Sequence, residues 1–174
     1  MSNKKTFRLV LAAMFLALAM VLPFITGQIP QIGSMLCPMH IPVLLCGFFC
    51  GPVYAAAVGF VAPLLRFVLF GMPPLVPTGI AMCFELAAYG AVAGLLYTKL
   101  PKTKANIYVS LIGAMLAGRL VWGLARTVLY GFGKGTFGFN AFLSGAFLTA
   151  IPGIILHIIL IPIVVMMFRK YTID

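Results

Sequence analysis

Four ionisable side chains lie inside stretches that are otherwise apolar: Arg66, Glu85, Arg119 and Arg126. Charge within a membrane span costs about 2.5–3.5 kcal/mol per residue on the insertion scale, so such residues mark sites of function or of pairing. Arg119 and Arg126 are seven residues apart and share one face of a helix, with Trp122 and Gly123 between them on that face. One glutamate neutralises only one of three guanidiniums. The excess points to a cavity lined by positive charge and aromatic rings. An arginine fork there would take a carboxylate or a phosphate through two parallel hydrogen bonds. Tyr130, His40 and Asn140, at the ends of neighbouring segments, complete the candidate substrate-binding set. The competing reading is that Glu85 pairs with one arginine while the other two snorkel outward.

Other chemistries fail on residue inventory. The chain has two acids, Glu85 and Asp174. Paired carboxylates and carboxylate metal cages are therefore excluded, and the zinc motif H-E-x-x-H is absent. A serine hydrolase would have to assemble Ser144, His157 and Glu85, the sole acid within the body of the chain. The loop GFGKGTFG at 131–138 does not match a P-loop, because Lys134 is followed by Gly135. It reads instead as a flexible lid, with Tyr130, Phe132, Phe137 and Phe139 able to cover a site. Cys37, Cys46, Cys50 and Cys83 form no C-x-x-C pair and read as small hydrophobes. His40 reads as a helix-end hydrogen-bonding residue and His157 as a packed one. No catalytic residue, metal site or cofactor is expected.

The elements that must position these residues follow from composition. Of 174 residues, 63% are hydrophobic and 8% are charged, with a mean hydropathy of +1.17. A soluble domain carries about 25% charged residues, so the composition describes an all-α polytopic membrane protein. A helix needs roughly 20 apolar residues to cross the hydrocarbon core. Six spans are expected in a single domain over 1–174: 7–26, 40–50, 53–70, 78–98, 106–130 and a long 140–168 kinked by Pro152 and Pro162. The first span resembles a signal peptide in its flanks but is expected to be retained.

Twelve Lys and Arg give a formal net charge of +10. Outside the spans they gather at Lys4, Lys5 and Arg8, at Lys99, Lys102 and Lys104, and at Arg169 and Lys170. The positive-inside rule places all three groups, and so both termini, in the cytoplasm. Six spans demand the same, since an even number returns the chain to its starting side. The breaks at 27–37, 71–77 and 131–139 then face outside. Arg66 and Arg126 each lie four residues from the outer end of their spans, and Glu85 lies seven.

Small residues form close-approach surfaces. Ala13 and Ala17 make a small-xxx-small pair on the first span, with Ala12 and Ala19 beside it. Gly47/Gly51 and Gly90/Gly94 repeat the spacing and read as contacts within the bundle. A six-span chain with a basic N-terminus and this Ala-xxx-Ala pair resembles the substrate-binding S components of energy-coupling factor (ECF) vitamin transporters. The stretches PMHIPVLLCGFFCGPVYAAAVGFVAPLLRFVLFGMPPLVP and MCFELAAYGAVAGLLY are similar to the branch holding the pantothenate and folate components.

The resemblance implies a subunit without its own ATPase in the bacterial cell membrane. It would bind a vitamin from outside and join a transmembrane coupling protein and two cytoplasmic ABC-type ATPases. Ala13 and Ala17 would correspond to the helix-one surface that docks the coupling protein. The binding site would lie near the loop after helix one and the outer parts of helices four to six, which include Glu85 and Arg126. Arg66 is on helix three, which is less typical of the family's site. Residual positive charge favours a carboxylate-bearing vitamin: pantothenate, biotin or folate rather than pyridoxine or thiamine. Another vitamin (folate, biotin, pyridoxine or cobalamin), an independent small transporter and a small membrane enzyme are the alternatives.

Overall fold

The computed structural model describes residues 2–26, 29–132 and 138–172. Among them the regular structure is helical throughout. Helix α1 (Ser2–Ile25) turns Ala12, Phe15, Ala19 and Met20 inward at helical spacing and leaves Val10, Met14 and Val21 exposed. An apolar outer face is what a helix in lipid presents. A short α2 (Pro30–Leu36) opens with Pro at its first position and stops at Cys37, whose φ of 48° ends the helix. All eleven residues of α3 (His40–Cys50) are buried, which makes it the central rod of the bundle. Gly51, at φ 98°, then reverses the chain, a backbone state that favours glycine.

Helix α4 (Pro52–Phe70) is closed by Gly71 in the left-handed conformation, its N–H bonded to the Phe67 carbonyl. A proline-rich segment with cis peptide bonds before Pro73 and Pro77 leads into α5 (Ile80–Lys99). Helix α6 (Lys104–Phe132) is the longest. The chain ends in α7 (Phe139–Leu143), a wide turn at Ser144–Leu148, α8 (Ile151–Met167) and a 3-10 turn at Arg169–Tyr171.

Among the described residues, five helices or helix pairs are long and apolar enough to cross a membrane, and α8 is a shorter sixth. The structure departs from the sequence reading in two places. The break at 27–37 contains α2, which together with α3 makes a continuous apolar span over 31–50. The expected long sixth helix is divided, and Pro152 begins α8 rather than kinking it. A proline in the first helical turn leaves no intrahelical acceptor unpaired, because that N–H would have had no partner. Pro162 does lie inside α8.

Small residues set the packing. A Cβ on Gly90 would stand 2.6 Å from the Ala55 carbonyl oxygen, and one on Gly94 would stand 2.6 Å from the Pro52 nitrogen. Helix α5 thus lies backbone to backbone against α4. Gly47 of α3 meets Gly90 and Gly94 in the same way, so both glycine pairs act within the bundle. On α1 the four alanines separate: Ala12 and Ala19 are buried, while Ala13 and Ala17 are exposed on the outer face.

The basic segments converge at one end. Tyr97 donates to Thr172 Oγ1 at 3.4 Å, Lys102 Nζ donates to the Tyr97 carbonyl at 2.7 Å, and Arg169 donates to the Lys102 carbonyl. A cleft lined by Lys4, Arg8 and Lys170 lies there too. Replacing Gly90 with leucine should lower the thermal midpoint of the purified protein by the equivalent of about 1–3 kcal/mol of overpacking. Gly131→Ala, where a Cβ meets nothing within 4 Å, should leave the midpoint unchanged in the same melting experiment.

Candidate functional site

At the end opposite the basic segments, the helix ends enclose a cavity of about 540 Å³. Its walls come from the end of α1, from α2 and the start of α3, from α4, α5 and the connection between them, from the second half of α6 and from the turn before α8. Seven of the eight residues proposed from sequence line it: His40, Arg66, Glu85, Arg119, Trp122, Arg126 and Tyr130. Asn140 does not; it is exposed on α7. Arg66 does, although helix three is less typical of the family's site.

Each arginine is held differently. Arg119 Nη1 donates to Glu85 Oε1 at 2.9 Å, with both side chains buried. Its Nη2 reaches Cys37 Sγ at 3.7 Å, and its buried Nε has no hydrogen-bond partner among the described residues. Arg66, also buried, donates from Nη1 to the Met20 carbonyl at 2.8 Å. Its guanidinium lies 5.3 Å from the centroids of both Phe24 and Phe70, a distance at which the ring faces attract a cation. Arg126 donates from Nη2 to Thr78 Oγ1 at 3.0 Å and lies 4.9 Å from the Trp122 ring and 5.9 Å from that of Tyr130.

The snorkelling alternative therefore fails for Arg66, which is buried beside the cavity. Its other half holds, since Glu85 does pair with one arginine. Three guanidiniums and one carboxylate leave a formal +2 on the cavity wall (3 − 1, histidines neutral). Among the described residues a backbone carbonyl, a hydroxyl and ring faces meet Arg66 and Arg126, and none of these carries a formal negative charge.

Behind the Glu85–Arg119 pair is a buried polar layer. His40 Nε2 stands 3.4 Å from Glu85 Oε1, beyond ordinary N–H···O length, and neither of its ring nitrogens has a hydrogen bond among the described residues. Its ring meets Tyr89 edge-on at 5.0 Å and stacks on His157 at 6.0 Å. His157 is buried, as the packing reading expected. Ser144 is exposed in the turn before α8, and the cavity lining does not include it.

Sequence reasoning missed Cys37, Thr78 and Met82, which also line the cavity. Thr78 stands at the start of a span and could have been flagged as a polar partner. Cys37 gave no signal beyond its apolar surroundings. Lys134 and Phe137 of the proposed lid, with residues 133–137 generally, lie outside the described residues, as do the side chains of Phe132 and Phe139.

Glu85→Ala should strand the Arg119 guanidinium and cost about 3–5 kcal/mol, the usual penalty for removing one partner of a buried pair. Thermal denaturation should register that loss. The double variant Glu85→Ala/Arg119→Met should recover most of it.

A family model described as "ECF transporter, substrate-specific component" matches residues 7–165. Searches of curated proteins and of solved structures give no match.

Proposed function

Given that this chain belongs to the substrate-specific components of ECF transporters, we propose that it captures a small carboxylate-bearing vitamin, with pantothenate as the leading candidate. The family is one of transport subunits rather than enzymes, and the chain is accordingly a multi-pass membrane protein that supplies substrate specificity to a larger complex. The observation that carries the choice of ligand is the charge imbalance in the cavity: three arginines against Glu85.

In this reading Glu85 fixes Arg119 and leaves the cavity's positive charge to be met by the ligand. The carboxylate sits between Arg126 and Arg66. Hydroxyls and an amide on the ligand meet Arg119 Nε, His40 and Thr78, while Trp122 and Tyr130 cover its apolar body. A carboxylate taken into an arginine-lined, partly dry cavity gains charge-assisted hydrogen bonds that water would otherwise screen. A cationic vitamin such as thiamine would meet like charge.

The membrane orientation follows the basic residues. With Lys4, Arg8, Lys102 and Lys170 at the cytoplasmic face, the cavity opens to the outside of a bacterial cell membrane. Ala13 and Ala17, exposed on α1, form the docking surface for the transmembrane coupling protein. Two cytoplasmic ABC-type ATPases then drive reorientation and inward release.

Isothermal titration with pantothenate and with its alcohol analogue, in which the carboxylate is replaced by CH₂OH, tests the ligand assignment. The native protein should favour the acid, and Arg126→Ala should weaken acid binding by roughly 30- to 100-fold, the scale of a charge-assisted bond of about 2–3 kcal/mol. Equal affinities for acid and alcohol would remove the carboxylate proposal. Ala17→Trp should abolish co-purification with the coupling protein and ATPases while leaving vitamin affinity unchanged. Lost vitamin binding in that variant would argue against a docking role.

A further inference from the structure

A second cleft lies at the basic end, remote from the ligand cavity. It has a volume of about 470 Å³ and is lined by Lys4, Phe7 and Arg8 of α1, Phe49 of α3, and the segment Lys170–Thr172. Lys4, Arg8 and Lys170 form no ion pair among the described residues, whose only acid, Glu85, lines the other cavity.

The cleft is built rather than incidental. Phe49 is buried beneath it. Its C-terminal wall is pinned: Thr172 Oγ1 donates to the Arg169 carbonyl at 2.8 Å and accepts from Tyr97, and Arg169 is itself held on the Lys102 carbonyl. Lys102 is held as well, on the Tyr97 carbonyl and 3.8 Å from its ring. Two cations at this end thus serve the fold, while Lys4, Arg8 and Lys170 face a shared space. Phe7 and Tyr171, each about half exposed at 51% and 53%, flank that space with aromatic surface of the kind found at the boundary between headgroups and acyl chains.

We infer that this cleft binds the phosphate headgroup of an anionic phospholipid, held by Lys4, Arg8 and Lys170, with Phe7 and Tyr171 against its glycerol and upper acyl carbons. Cations and half-exposed aromatics side by side select an amphipathic anion rather than a free one. Basic clusters at the end of a span attract anionic lipid. The site joins the base of α1 to the C-terminal turn, so an occupied cleft braces the helix that carries Ala13 and Ala17.

Native mass spectrometry of the full chain, with equimolar phosphatidylglycerol and phosphatidylcholine of matched acyl chains, tests this. The native protein should retain phosphatidylglycerol preferentially. R8Q/K170Q should reduce that preference at least about tenfold, whereas K99Q/K104Q, which removes two exposed charges elsewhere, should change it by less than about twofold. R8K/K170R should keep it, and a thermal melt of each variant verifies folding. Equal losses in the two glutamine pairs would mean a diffuse basic surface and would overturn the site. Displacement of the lipid by excess inorganic phosphate would overturn the assignment to lipid. Preference appearing only in D174N would show the chain's own terminal acid as the occupant and would also overturn it.

Discussion

A guanidinium buried in a membrane protein has to be met by a carboxylate or by a set of acceptors that does nearly as well. Glu85 meets Arg119 at 2.9 Å, and the described residues include no second acid to do the same for Arg66 or Arg126. Those two are held by a carbonyl, a hydroxyl and aromatic faces. Such partners fix the direction of each guanidinium without cancelling its charge. The cavity consequently keeps a field that an anionic guest can satisfy, and its arginines are oriented before the guest arrives. Pre-orientation matters because side chains already fixed lose little freedom on binding.

The rest of the fold serves to hold these four residues on three helices, Arg66 on α4, Glu85 on α5 and both Arg119 and Arg126 on α6, while leaving space between them. Helix α3, buried along its whole length, cannot itself carry charge except at its mouth, where His40 stands. Glycines at the α3–α5 and α4–α5 contacts draw the lower bundle together. Toward the other end the helices are separated by α2 and the proline-rich 72–79 segment, both of which contribute to the lining. Close packing at one end and inserted short segments at the other produce a bundle that opens on the side where the arginines lie.

Much of this was legible in the sequence because charge in a span is conspicuous. Arg119, Trp122 and Arg126 could be assigned to one helical face from their spacing, and all three line the cavity. The gathering of Lys4, Lys102 and Arg169 at one end could be read from their distribution among the breaks. The sequence was silent on what each arginine would hold. A backbone carbonyl such as that of Met20 is present at every residue, so no residue type announces it. Helix α2 was hidden because a seven-residue helix is too short to show periodicity and lies in a stretch containing Gly and Pro. Pro152 was misread because the same residue type kinks a helix from within and starts one from its first turn. Asn140, at the start of the sixth segment, lies exposed on the short α7.

The central claim is that the molecule this protein carries is an anion. The most direct measurement is mass spectrometry of the small molecule released when the purified protein is denatured, after expression in cells supplied with a full set of vitamins. The account predicts an acid bearing a free carboxylate, at close to one equivalent per chain. Release of a neutral or cationic vitamin, such as pyridoxine or thiamine, would contradict it.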